Sequence, residues 1–451
     1  MRRLALVLVV LLLAGCTSAP APAALVERPG ELRVGSAVLH NGGVQGGLSL
    51  LHLGEGGPAS VAFPDGVLVL DRDGRLVPPD GPVTIARGEL VQYLAPYGAS
   101  ELVVQVDGAP VTLPLAAGRA FVDGQLAVEL LKVQRERFPH RTPHMPNFEA
   151  SVSYFADYFE ALGYKVEVFR PPVPELPLPL DAPLAPQSLV SVVATKRGTT
   201  QADRYLAFGG HFDVVEQTTE GAFDNTAGTV ATLAMAKAFA QVNTSHSLIF
   251  GVWGGEEDGI LGSQAWLAGH PELVPFLDLY VNFDVTSLAW PAPAPDPAPV
   301  VATTGPDGPM GDALAAAHQA IVADWMQVDA PFVYEPVAQG QANGAGVNAQ
   351  SDHTSFLARG IPVLFQFTAR TGDAFALIHS ERDTTENMTK FALRGPDADL
   401  DAPLNTTEQA EGEAVLAKSF ETQMVAGFYL AVLMDDGVFR GPKPAEDKSR
   451  P

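Results

Sequence analysis

From about Leu126 to Met434, short apolar runs alternate with segments of helical spacing, and this stretch limits the fold more than any other feature of the chain. Apolar residues recur at helical intervals over Leu126–Arg137 and Phe148–Leu162, and Gly163 supplies a stop. A strand, Lys165–Phe169, follows. The pattern then predicts strand Leu189–Ala194, strand Tyr205–Gly209, helix Ala227–Phe239, strand Ser247–Trp253 and helix Gly262–Leu267. Strand Leu279–Phe283, helix Gly311–Trp325, strand Pro362–Phe367 and a final helix from about Thr407 to Met434 complete it. Strands and helices in this order imply an α/β fold, a three-layer α/β/α sandwich with a mixed, mostly parallel central sheet. In such sheets functional residues gather at the carboxyl ends of the strands.

The residues before this stretch read differently. From about Gly30 to Leu115, short apolar runs such as Gly66–Leu70 and Leu102–Val106 are separated by turn pairs such as Asp73-Gly74 and Asp107-Gly108. This predicts a small β-rich domain, over 30–120, and it holds no catalytic constellation. At the start, Met1-Arg2-Arg3 precedes ten apolar residues, Leu4–Leu13, and then Ala14-Gly15-Cys16. The apolar run is too short to cross a bilayer, which takes about 20 residues, so residues 1–16 read as a signal peptide. Leu13-Ala14-Gly15-Cys16 resembles a bacterial lipobox, which implies export, a lipid on Cys16 and anchoring in a bacterial cell envelope by that lipid alone. An Ala/Pro-rich tether over 17–29 follows, and residues 441–451 read as a flexible tail. Cys16 is the only cysteine, so no intrachain disulfide and no cysteine zinc site can form. The net charge of -24 argues against a nucleic-acid partner, because a polyanion is repelled by an acidic surface.

Five short motifs lie where a strand ends or a loop leaves it. They are Gly209-Gly210-His211-Phe212-Asp213, Gly221–Gly228 around Asp224-Asn225, Trp253–Gly259 around Glu256-Glu257, Val281-Asn282-Phe283-Asp284, and Ile378–Thr384 with His379 and Asp383. Singly, each has a bland reading: a strand-end histidine is usually a core or surface residue, and an aspartate opening a helix is usually a cap. Together they supply two imidazoles and three carboxylates, a donor set suited to zinc. Two zinc ions about 3.5–4 Å apart need an anionic bridge, and an aspartate with both oxygens available meets that need.

These residues resemble the metal-dependent exopeptidase family that contains bacterial secreted aminopeptidases and glutamate carboxypeptidase. The family's pattern is His-x-Asp, Asp-Asp-Asn-x-x-Gly, Glu-Glu-x-Gly-x-x-Gly-Ser, Asp, then a late His followed by Asp-Thr. His211-Phe212-Asp213, Phe223–Gly228 and Glu256–Ser263 match it in order. Phe223 departs from it, standing where the pattern has the first Asp, which is not the bridging residue. The resemblance implies a zinc peptidase domain over 126–440 with two zinc ions per chain. Asp224 would bridge them, His211 and Asp284 completing one site and Glu257 and His379 the other. Glu256 would be the general base, and Asp213 would accept a hydrogen bond from the His211 imidazole and orient it. Ser351–Phe356 also matches, which puts Asp352 near the site as a supporting group and leaves His353 structural.

The resemblance implies hydrolysis of N-terminal peptide bonds, that is, an aminopeptidase acting on peptides. Two other readings are weighed against it: a single-zinc glutaminyl cyclase of the same family, and an inactive binding lipoprotein on the same fold. Asn225 favours the two-metal hydrolase over the cyclase. His140, His144, His246, His270 and His318 lack a motif context and read as loop or surface residues. The stretch Pro331–Ala349 is expected to be a loop walling the pocket, and Arg359, Arg370 and Arg382 are candidates to hold a substrate carboxylate.

Overall fold

The structure is a computed structural model, described over residues 31–435 less 35–36, 45–46, 53–55, 71–75, 88, 95–100, 115–121, 144, 172–188, 241–243, 287–299, 307, 321–331, 337–349, 369–376 and 396–397. The signal peptide with Cys16, the tether, the tail, His144 and Arg370 lie outside the described residues, as does most of the proline-rich loop after Pro171. Among the described residues no helix is long and apolar enough to cross a membrane.

The chain divides into two compact units, one taking in residues up to 70 and from 77 to 119, the other 71–76 and everything from 120 on. The first is antiparallel β structure. It consists of β1 (Glu31–Val34), β2 (Ala37–Val44), β3 (Gly47–His52), β4 (Ala59–Ala62), β5 (Leu68–Leu70), β6 (Leu76–Val77), β7 (Val83–Ile85), β8 (Leu90–Leu94), β9 (Glu101–Val106) and β10 (Ala109–Pro114). One sheet runs β1-β2-β3-β8-β5-β6 and the other β10-β9-β4-β7. Strict alternation in β9 buries Leu102, Val104 and Val106 and exposes Val103, so one face of its sheet joins Leu50, Val61, Ile85 and Tyr93 in a shared core. Asp107 and Gly108, both at positive φ, make the tight turn between β9 and β10.

The second unit is an α/β domain. Its elements are α1 (Gly124–Arg137), α2 (Pro146–Ala161), β11 (Lys165–Phe169), β12 (Ser191–Lys196), β13 (Gln201–His211), α3 (Ala227–Ala240), β14 (His246–Trp253), α4 (Leu261–Gly269) and β15 (Leu277–Phe283). There follow β16 (Val300–Gly305), α5 (Pro309–Ala320), β17 (Phe332–Pro336), α6 (His353–Leu357), β18 (Val363–Thr368), α7 (Thr385–Arg394) and α8 (Thr406–Asp435). Eight strands form one sheet in the order β11-β12-β14-β13-β15-β18-β16-β17. The four strands β14, β13, β15 and β18 run parallel, while β11–β12, β12–β14 and β16–β18 pair antiparallel. The sheet is therefore mixed and mostly parallel.

Residue alternation shows both faces to be covered. On one, Phe208 of β13 and Phe250 of β14 stack at 5.1 Å and meet Phe239 of α3, which lies 4.4 Å from Phe428 of α8. On the other, Ala207 and Ile249, one residue earlier in each strand, pack with Trp266 of α4 and Phe356 of α6. Tyr280 of β15 stacks on Phe356 at 3.7 Å. Burying an aromatic ring of this kind contributes about 1.5–3 kcal/mol, so each face of the sheet holds its helix layer.

Two expectations are corrected here. His246 and His318 are buried rather than on loops or the surface. His246 begins β14, where Asp435 at the end of α8 accepts from its backbone N–H at 2.7 Å and lies 2.9 Å from its Nδ1. His318 sits on α5, whose inward face carries it into the core. His140 is exposed in a loop and His270 is half-buried, its ring stacked on Trp266. The expected pocket loop 331–349 contains a strand, β17, paired with β16; its remainder lies outside the described residues.

Candidate active site

The parallel strands deliver the motif residues to one edge of the sheet. In register, His211 stands beside Trp253 and Gly209 beside Asn282, so β13, β14 and β15 finish together. His211 closes β13, Glu256 and Glu257 follow β14, and Asp284 follows β15. Asp224 lies in a tight π-type turn, Ala222–Thr226, that enters α3. Close approach here requires glycine: a Cβ at Gly228 would overlap the carbonyl oxygen of Phe283 and crowd the Asn225 side chain. Asn225 fixes the turn by donating to Phe283 O at 3.0 Å and accepting from Gly228 N–H at 2.8 Å.

All five candidate metal ligands converge. His211 Nε2 lies 3.3 Å from Asp224 Oδ1 and 3.4 Å from Asp284 Oδ1. His379 Nε2 lies 3.2 Å from Asp224 Oδ2 and 3.0 Å from Glu257 Oε2. The two oxygens of Asp224 thus face different histidines. Glu256 Oε2 is 3.8 Å from His211 Nε2. Ligand atoms of His211, Glu256 and Asp284 fall within 4.8 Å of one another, and so do those of His211, Asp224 and Glu257. His379 and Val285, the residue after Asp284, both hold positive φ, a conformation that costs about 1–3 kcal/mol in non-glycine residues and collects at functional sites.

The supporting residues differ from expectation at Asp213. Its carboxylate accepts the backbone N–H groups of Glu256 at 3.2 Å and Glu257 at 3.1 Å. The His211 Nδ1 lies 3.2 Å from the Asp213 carbonyl oxygen and 3.6 Å from its carboxylate. The imidazole is therefore oriented mainly by a backbone acceptor, because the Glu-Glu loop turns two successive amides onto the Asp213 side chain. Asp383 does the same for the Asp224 turn, accepting from Phe223 N–H at 2.7 Å and Asp224 N–H at 3.0 Å. Its role as an anchor has no signature in spacing beyond its place in the Asp-Thr pair. Asp352 is buried at the head of α6 and feels the charges of His211, Asp284 and Asp213. His353, beside it, stacks on Phe365 at 4.2 Å, and burial lowers its imidazole to about 3, which suits a neutral packing residue.

Crowded, buried carboxylates raise one another. Burial pushes the Glu256 carboxyl well above its usual range, with Asp284, Asp352 and Glu257 adding to the rise and His211 opposing it. Burial and Asp224 bring Glu257 to about 7, against the pull of the two histidines. Burial, with Asp284 and Asp213 adding and His211 and Ser263 opposing, brings Asp352 to about 7. Hydrogen bonding to Asp224 and Glu257 raises His379 to about 11. Burial disfavours a charged His211, but Asp284, Glu256, Asp213 and Asp224 together hold it well above its ordinary value. The buried Nε2 of His211, Oε1 of Glu257 and Oδ1 of Asp284 make no hydrogen bond of acceptable geometry. Buried carboxylates and imidazole nitrogens with unmet bonding capacity fit a divalent cation, and the oxygen and nitrogen set fits zinc.

Residues 191–395, which include every candidate ligand, match peptidase family M28. The segment is similar to that family over this stretch. A probable zinc metalloprotease of Pyrenophora tritici-repentis is 29% identical to the chain over 107 residues, 22% of the chain and 25% of that protein. A glutamate carboxypeptidase 2 homolog of Caenorhabditis elegans is 24% identical over 287 residues, 55% of the chain and 35% of that protein. The chain thus spans between a quarter and about a third of the length of these two relatives. Among solved structures, LapA of Legionella pneumophila superposes with a TM-score of 0.49 at 15% identity, covering 70% of this chain and 73% of that one. The M28 segment begins at β12 and ends after α7, so α1, α2, β11 and α8 lie outside it.

Proposed function

We propose that the chain is a zinc-dependent exopeptidase, acting as an aminopeptidase, whose two zinc ions share Asp224. The observation that carries this reading is the division of the Asp224 carboxylate, one oxygen toward His211 and the other toward His379. His211 and Asp284 would complete one metal, Glu257 and His379 the other. Zinc bound there would polarise the scissile carbonyl and make a water nucleophilic near neutral pH.

The chain's own residues supply the remaining functions. Glu256, next to the ligand Glu257 but facing His211, is placed to accept the proton of the attacking water at its carboxylate and release it to the leaving amine. Asp213 holds the amides of both glutamates, so base and ligand keep their relative positions. Two of the arginines considered for carboxylate binding are engaged elsewhere: Arg382 pairs with Asp401 at 3.0 Å, and Arg359 donates to Ser355 O at 2.8 Å. Export and lipid anchoring at Cys16 belong to the same reading and rest on the sequence of residues 1–16 alone.

Metal analysis of the purified chain together with a panel of peptides blocked at either end tests the proposal. Two zinc ions per chain and release of N-terminal residues are expected. One zinc with cyclisation of N-terminal glutamine would replace it with a glutaminyl cyclase, trimming from the C-terminus would refute the aminopeptidase assignment, and no metal with no cleavage would leave a binding protein.

A further inference from the structure

Arg141 lies between α1 and α2, outside the segment that matches the peptidase family, and it is almost wholly buried. Its guanidinium donates four hydrogen bonds. Nε reaches Phe212 O at 2.8 Å and Nη1 reaches Phe138 O at 3.1 Å. Nη2 reaches both Glu220 O at 3.1 Å and Thr226 Oγ1 at 2.6 Å. Phe212 is the residue after His211, while Glu220 and Thr226 flank the turn that presents Asp224. One side chain therefore ties the end of β13 to both stems of that turn.

The fork reaches further through its acceptors. Thr226 passes its own hydroxyl hydrogen to Glu220 O at 3.1 Å, so the two stems are also tied to each other. The Glu220 carboxylate accepts Thr385 N–H at 2.7 Å, which joins the turn to the head of α7, just past His379 and Asp383. Burial lowers the guanidinium to about 10, with Asp213, Asp383 and Glu220 acting through space to oppose the fall, so it stays charged at neutral pH. A planar group with five donors can span three peptide segments at once; a lysine ammonium has three donors at one point and cannot.

We propose that Arg141 is a positioning residue that sets the spacing between His211 and Asp224, and thereby the zinc affinity of the site. The proposal rests on the reading of these residues as a zinc site. It assigns to the α1–α2 connection, beyond the matched family segment, a direct part in building that site.

The test uses the full chain stripped of metal and titrated with zinc against a competing chelator, at a temperature well below unfolding. Arg141→Lys keeps the charge and removes the fork; Thr226→Val keeps the shape and removes one acceptor of the fork together with the hydroxyl's own bond to Glu220 O. Loss of a group that orients metal ligands typically weakens metal binding by about tenfold to a hundredfold, and that loss is expected for Arg141→Lys, with a smaller loss for Thr226→Val. If both variants melt earlier but bind zinc as the wild type does, Arg141 is only structural and the proposal fails. Should Arg141→Lys not fold, Thr226→Val decides alone, and unchanged zinc affinity there overturns the proposal. If the wild type itself binds no zinc, the reading of the site has failed, and the role of Arg141 falls with it.

Discussion

Replacing Asp383 with asparagine isolates the support of Asp224 from the ligands themselves. The two carboxylate oxygens each take one backbone N–H, from Phe223 and Asp224, at 2.7 and 3.0 Å, in a fully buried setting. An asparagine of the same shape has one acceptor oxygen, and its amide group would turn hydrogens toward the other N–H. One buried donor is then left unpaired, at about 1–3 kcal/mol, and above about pH 8, to which burial with Asp224 and Glu220 adding raises the Asp383 carboxyl, the surviving bond also loses charge assistance worth about 1 kcal/mol. Above that pH the turn that carries Asp224 is thus destabilised in its binding-competent shape by about 2–4 kcal/mol. If zinc binds only when that turn is in place, the lower figure corresponds to about a 30-fold loss of affinity. Competition against a chelator of known affinity measures it, with circular dichroism to show that the chain remains folded. Zinc affinity within threefold of the wild type would show that the two amide bonds do not govern the placement of Asp224.

Glu256→Gln should retain zinc and lower kcat by about 10²–10⁴-fold, the usual contribution of a general base; unchanged turnover of aminoacyl-anilides removes Glu256 from that role. Burial disfavours a charged His246, but Asp278 and Asp435 raise it to about 9, so the stability it gives is complete below about pH 6.5 and is lost as pH rises through 9. After allowance for screening this amounts to about 2 kcal/mol, and denaturation at pH 6 and pH 9.5 should show a decline that His246→Gln lacks. Gly228→Ala presses a methyl group against the backbone of Phe283 and should destabilise the chain by about 1–3 kcal/mol; an unchanged melting temperature would contradict that close approach.

The α/β layers were legible because burial on two faces leaves a strong periodic record. Lys165–Phe169 is a strand as expected, and the helix expected from Ala227 to Phe239 runs to Ala240. The candidate ligands were legible because they follow strand ends or lie in turns within distinctive short motifs. What sequence did not show are contacts between distant side chains and backbone. Arg141 reaches 71 residues along the chain to Phe212, and Asp383 reaches 160 residues back to Phe223; no local spacing encodes either. His246 was misplaced because a histidine opening a strand looks solvent-facing until the far end of α8 is known to close over it. The two amides that Asp213 accepts went unforeseen for a similar reason, since the path of the Glu256-Glu257 loop back over the strand end is a tertiary feature.

The Asp224 carboxylate, turned toward two histidines at once, also has a mechanical consequence. The sequence contains a single cysteine, so no intrachain disulfide can fasten this fold. Metal ions shared by Asp224 would join position 211 to position 379 and so staple a loop of about 170 residues, for which chain-entropy arguments give a ceiling of about 5 kcal/mol. Such a staple would make resistance to digestion depend on metal supply. A chain deprived of zinc would then lose its activity and its durability together.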